Sequence, residues 1–155
     1  MTDPLMNQWI QSGKVYLWTY LENTKNFPGW HICVDQNGGD SLLDLLEKML
    51  SAVWPSTKEI LISPPTLKIL KRPNNKNGKA KWSSPKIFKI KFPKGKVPHD
   101  HWSLLEGQDR VDLVIGMKKL NQLRRGIEDS LLYRGDYSIG SEENFEDDSA
   151  CLWFW

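Results

Sequence analysis

Cysteine is scarce in this chain: Cys33 and Cys151 are the only two among 155 residues. Two thiols exclude a disulfide-dense scaffold and a four-cysteine zinc site. They suit a reducing compartment as free thiols, and a single bridge between them stays open. Long apolar runs are also lacking. Every run is broken far short of the roughly 18 residues a membrane-spanning helix needs, so no membrane is expected among the partners. The opening Met1-Thr-Asp-Pro-Leu-Met6 has no basic stretch leading into an apolar one, which argues against a secretory signal. A cytoplasmic location is the expectation. Nor does one sign of charge dominate. Lys plus Arg is 21 and Asp plus Glu is 19, a net charge of +2, so the totals point neither to a strongly basic nucleic-acid binder nor to an acidic mimic. There is no repeat, heptad, zinc ribbon, glycine-rich cofactor loop or nucleophile elbow. No cofactor is implied. An enzymatic role is left open, with the balance leaning against it.

The abundant residue is tryptophan, with eight in the chain. An indole brings a large apolar area and one N–H that wants a partner, so a dispersed set reads first as a dense core. A binding surface is the second reading, because Trp is enriched at interface hot spots. Hydrophobic residues at 39% and charged residues at 26% exclude wholesale disorder.

Local patterns give an element order. Residues 14–21 and 30–34 read as paired strands, with Trp30, Ile32 and Val34 on one face and His31 and Cys33 on the other. Gln36-Asn-Gly-Gly breaks the chain, and a helix follows from about Ser41 to Trp54. Its stripe is Leu42, Leu46, Met49 and Val53, broadened by Leu43, Leu50 and Trp54. Ser41 and Asp44 resemble a capping box, and Pro55 ends the helix. Residues 58–63 form a strand. In the run 86–92, Phe88, Ile90 and Phe92 face a core while Lys89 and Lys91 face water. Residues 98–102 are a connection. Residues 110–115 form the next strand, with Val111, Leu113 and Ile115 inward. A second helix spans about Met117 to Tyr133, with Gly126 inside it and Gly135 as its cap. A terminal hairpin closes the chain, with Leu152 and Phe154 buried. The expected architecture is α+β: a mainly antiparallel sheet of about seven strands with two amphipathic helices packed on it. One domain covers 1–155. It carries a basic, loop-rich segment at about 64–97 and an acidic hairpin loop at about 141–149, which holds Glu142, Glu143, Glu146, Asp147 and Asp148.

Five constellations bear on chemistry. His99-Asp100-His101 offers two imidazoles on one face of an extended stretch. A zinc site there needs a third ligand from elsewhere, such as His31 or Asp112; the plain reading is a polar turn before Trp102. Cys33 and His31 share a strand face, but no third group orients them, so a buried thiol is the simpler reading. Glu128 and Asp129 with Arg124 and Arg125 read as exposed helical ion pairs. Asn37-Gly-Gly-Asp-Ser41 before a helix presents amides to an anion only if it is something other than a turn. The fifth is the basic segment. From Lys68 to Lys96 eleven basic residues run without an acid, and Trp82 lies among them. Lys71, Arg72, Lys76, Lys79 and Lys81 can neutralise phosphates while Trp82 stacks on a base. They can equally steer an acidic protein, with Trp82 or Trp102 as anchors.

The helix from Met117, followed by Gly135-Asp-Tyr-Ser-Ile-Gly140 and the closing Leu-Trp-Phe-Trp, resembles the C-terminal part of small bacterial proteins of uncharacterised or toxin-immunity type. The likeness covers about 40 residues and includes no catalytic motif. It implies action by binding a partner. The expected function is therefore protein–protein binding. The alternative is binding of nucleic acid or another polyanion through segment 68–96, and the third reading is a small enzyme or metal protein built on His99 and His101.

Overall fold

Alternation of apolar side chains decides most of the strands. In the computed structural model, residues 2–22, 27–71, 75, 78–141 and 151–155 are described. Among them nine strands form: β1 (Val15–Tyr20), β2 (Trp30–Val34), β3 (Ser56–Leu61), β4 (Trp82–Ser83), β5 (Ile87–Phe92), β6 (Trp102–Gly107), β7 (Arg110–Ile115), β8 (Tyr137–Ile139) and β9 (Leu152–Phe154). Three helices accompany them: α1 (Gln36–Ser51), the single turn α2 (Leu67–Leu70) and α3 (Met117–Leu131). A short 3-10 turn, Pro4–Gln8, precedes β1. The α+β class is as expected, but the strands make two mixed sheets rather than one antiparallel sheet of seven. A five-stranded sheet has the order β4-β1-β2-β9-β8, and a four-stranded sheet has the order β3-β5-β7-β6. Each contains one parallel pair, β2 with β9 and β5 with β7.

The inner faces of both sheets and the apolar stripes of α1 and α3 meet in one cluster. It includes Leu17, Ile32, Phe154, Leu46, Met49, Phe88, Ile90, Leu113, Leu123 and Ile127, each wholly buried. Phe88, Ile90 and Phe92 point in, as do Val111, Leu113 and Ile115, while Lys89 and Lys91 lie on the outer side. Leu152 and Phe154 are buried and their strand is paired. Each rule of strand alternation therefore holds where one face is polar.

The helix starts differ from expectation. α1 begins at Gln36, so Gln36-Asn-Gly-Gly forms its first turn. Asp35 is the N-cap, accepting from the Gly38 amide at 2.6 Å and from the Lys14 amide at 2.9 Å. Ser41 and Asp44 are therefore no capping box. Ser41 lies inside the helix, and its Oγ accepts from the Ser12 amide. Gly38 and Gly39 are there for closeness: a Cβ at Gly38 would lie 2.1 Å from the Lys14 carbonyl, and one at Gly39 would enter the Leu131 side chain. α1 ends at Ser51, leaving Val53 and Trp54 outside the stripe and largely exposed. Gly135 is not the cap of α3 either, because that helix closes at Leu132. The 98–102 connection runs on into an unforeseen strand, β6. It joins β7 through the two residues Gln108 and Asp109, with Asp109 in the left-handed region at φ 55°.

Candidate functional site

The two faces of the five-stranded sheet differ in kind. β1 is apolar on both sides, so it buries Val15 and Leu17 inward and Tyr16, Trp18 and Tyr20 outward. Register places Trp18 opposite His31, and His31 beside Trp153. Tyr16 faces Cys33, and Trp155 follows one step past the β2–β9 pairing, its amide bonded to the Ile32 carbonyl. The outer face is thus a grid of aromatic side chains. His31 lies at its centre, wholly buried and nearly parallel to the Trp18 ring at 5.5 Å. Its Nδ1 accepts from the Trp155 indole N–H at 2.8 Å, which leaves the proton of the neutral ring on Nε2. Burial lowers its pKa from 6.5 to about 4, opposed by the Phe27 backbone.

Part of this grid has a roof. α2 lays Ile69 and Leu70 over Tyr16, Trp18 and Tyr20, together with Ala80. The Tyr20 hydroxyl donates to the Leu70 carbonyl at 2.9 Å. Asn75, 2% exposed, donates to that same carbonyl and accepts from the Ala80 amide, tying the two ends of the segment together. Beyond the roof the aromatics are half-buried. Phe27 meets Trp153 at 4.9 Å and Trp155 at 5.7 Å, and Trp153 and Trp155 lie nearly parallel at 6.1 Å. Trp153 is held by its indole N–H on the Pro28 carbonyl.

Beside Trp155 the sheet and the end of α3 leave a cleft of about 280 Å³. It is lined by Cys33, Val34, Ser130, Tyr133, Gly135, Asp136 and Trp155. Ser130 is 8% exposed, and its buried Oγ has no hydrogen-bond partner among the described residues. Tyr133 and Asp136 adopt left-handed backbone at φ 58° and 84°, a conformation uncommon outside glycine. Gly135 permits that turn, since a Cβ there would lie 2.5 Å from the Phe154 carbonyl. Tyr133 projects fully, at 98% exposure.

The residues singled out from the sequence are spread widely. Lys71, Lys79, Lys81 and Trp82 are exposed on or near the roof; Arg72 and Lys76 lie outside the described residues. Lys89 and Lys91 sit on the outer face of the four-stranded sheet, where Lys91 is 3.4 Å from Asp112. Lys94 donates to the Ala52 carbonyl. The basic run is thus divided among separate surfaces. Trp102 points into the shared core at 6% exposure, which removes it as a surface anchor. The acidic residues 142–148 also lie outside the described residues.

His99 is exposed and His101 half-buried in a turn closed by the His101 amide on the Pro98 carbonyl. The suggested third ligands do not join them: His31 is buried in the aromatic grid, and Asp112 is engaged by Arg110 and Lys91 on another face. Among the described residues no three His, Cys, Asp or Glu side chains converge to hold a metal. Cys33 and Cys151 are not joined in a disulfide. They flank opposite ends of the β2–β9 pairing, roughly 13 Å apart by strand rise, too far for a bridge. The amide of Gly38 that might meet an anion is taken by Asp35. Arg124 pairs with Glu47 across the helices and, at 4.0 Å, with Glu128. Asp129 instead accepts from the Tyr137 hydroxyl at 2.7 Å; burial and this bond raise the Tyr137 pKa.

Sequence reasoning did not find the cleft, because its lining comes from β2, the end of α3 and the last strand. The sequence holds only the Gly135-Asp136 turn after the second helix and the aromatic Trp153-Phe-Trp155, with nothing local to bring them together. Among the described residues no helix is long and apolar enough to cross a membrane. Comparison with family models, curated proteins and solved structures finds no match to this chain.

Proposed function

We propose that the protein acts by binding another protein through the unroofed aromatic end of the five-stranded sheet. The observation that carries this reading is the ledge of Phe27, Trp153 and Trp155 beside the projecting Tyr133. Such rigid, amphipathic rings bring large contact area at little entropic cost, and Trp and Tyr dominate interface hot spots. Among the described residues the histidines and carboxylates are scattered, and the divided lysines support a polyanion track less well than the ledge supports a docking site.

The test is affinity capture from a native lysate at low salt, with and without nuclease, using the wild-type chain beside Trp153→Ala and Tyr133→Gly. Glycine at 133 keeps the left-handed backbone free of strain. A nuclease-resistant protein partner is expected, with retention falling about tenfold in each variant, as for a hot spot. Nucleic acid as the sole captured species would overturn the reading, as would a partner retained equally by both variants.

A further inference from the structure

We propose that the cleft beside Trp155 receives a guanidinium group, the side chain of an arginine presented by the partner protein. This rests on the docking reading above and names the chemistry at its centre.

Three lining groups select the ligand. Trp155 lines the cleft, and its indole is held in place by the hydrogen bond to His31, whose ring lies nearly parallel to it. Ser130 Oγ is buried with no partner among the described residues, so a group that brings no hydrogen bond leaves it unpaired at a cost. Asp136, exposed at the mouth, is the one charged side chain among the described lining residues. Arg134 is its exposed neighbour in the chain but does not line the cleft.

A guanidinium satisfies all three. Its plane stacks on an indole, and its N–H fork reaches a hydroxyl oxygen and a carboxylate at once. An ammonium offers no plane to the wall. A carboxylate is repelled by Asp136, and an apolar side chain leaves Ser130 unanswered. The volume, about 280 Å³, is just below the usual range for small-molecule sites and suits one side chain better than a drug-sized ligand. The left-handed turn at Tyr133 to Asp136 is fixed beside the last strand, where the Asp136 amide donates to the Phe154 carbonyl at 2.8 Å, so that Asp136 and Trp155 line the same cleft.

The experiment titrates N-acetyl-arginine amide into the intact chain and follows the Trp155 indole N–H and the Gly135 and Asp136 amides by NMR. N-acetyl-citrulline amide, planar and uncharged, is the control. Saturable shifts confined to these resonances are expected, with citrulline at least about tenfold weaker and Ser130→Ala or Asp136→Asn weakening the arginine probe about threefold or more. Both variants are expected to fold, since Ser130 Oγ makes no bond to lose and Asn tolerates left-handed backbone. Absence of saturation, or equal response to citrulline, overturns the assignment. If that happens while Trp153→Ala and Tyr133→Gly still lose the partner, docking stands and the guanidinium falls. If the probe binds while those variants keep the partner, the cleft takes a guanidinium, but docking falls and with it the partner's arginine as the source.

Discussion

The outer faces of the two sheets solve the same geometric problem in opposite ways. On the four-stranded sheet the outward positions of β5 are Ile87, Lys89 and Lys91, matched by Leu61, Glu59 and Thr57 on β3 and by Arg110, Asp112 and Val114 on β7. Such a face is largely polar, and water meets most of it without a cover. On the five-stranded sheet the outward positions are Tyr16, Trp18, His31, Trp153 and Trp155, and water cannot satisfy them. Part of that face is closed by α2 and Ala80, and among the described residues the rest forms a ledge and a cleft. The difference teaches where to look for function. A solvated strand face is complete by itself, whereas an aromatic face only partly roofed is one a second molecule can complete.

The largest expected effect tests whether the aromatic face is a second core. Trp18→Ala should cost about 3–5 kcal/mol in chemical denaturation, as for a buried large side chain. Trp18→Phe should cost much less, because the Trp18 Nε1 it removes is buried without a partner among the described residues. A Trp18→Ala variant as stable as wild type would erase the distinction between the faces.

The next effect is titration of His31. Its native pKa is about 4 and its unfolded value about 6.5. Between those values the unfolded chain takes up a proton that the native chain refuses. Stability present above pH 6.5 is therefore lost as pH falls through 4, by about 3 kcal/mol at the low end. Denaturation at pH 7 and pH 4, beside His31→Asn, isolates this share. Asn cannot titrate, so the gap between wild type and variant should narrow by that amount on acidification. A constant gap would show His31 to be more open to water than Trp18 and Trp155 allow. The smallest effect belongs to the other sheet: Lys89→Ala should move stability by no more than about 0.5 kcal/mol in thermal melting. A larger loss would make its outer face a packed surface too.

Alternation could be read wherever one face was polar. Phe88-Lys-Ile-Lys-Phe92 and Val111-Asp-Leu-Val-Ile115 announced both their strands and their buried sides. Where both faces were apolar, as in Val15 to Tyr20, the pattern showed a strand but not which side met the helices. β6 was hidden because Trp102-Ser-Leu-Leu-Glu-Gly107 sets two leucines side by side and loses its alternation after Leu104. The hairpin pair Gln108-Asp109 was its available sign. Glycines at 38 and 39 misled because they were read as turn-formers. They are small for the sake of Lys14 and Leu131, which are remote in sequence.

From the amino-acid order alone follow the α+β class, the inward sets on β5 and β7, the burial of Leu152 and Phe154, and the outward placement of Lys89 and Lys91, since each depends on neighbours two to four residues away. Only the tertiary structure decided that the last strand lies parallel to β2, that the strands divide into two sheets, and that Cys33, Ser130, Asp136 and Trp155 line one cleft. Those outcomes depend on how separate surfaces fill a shared space, and local periodicity carries no record of which surface meets which.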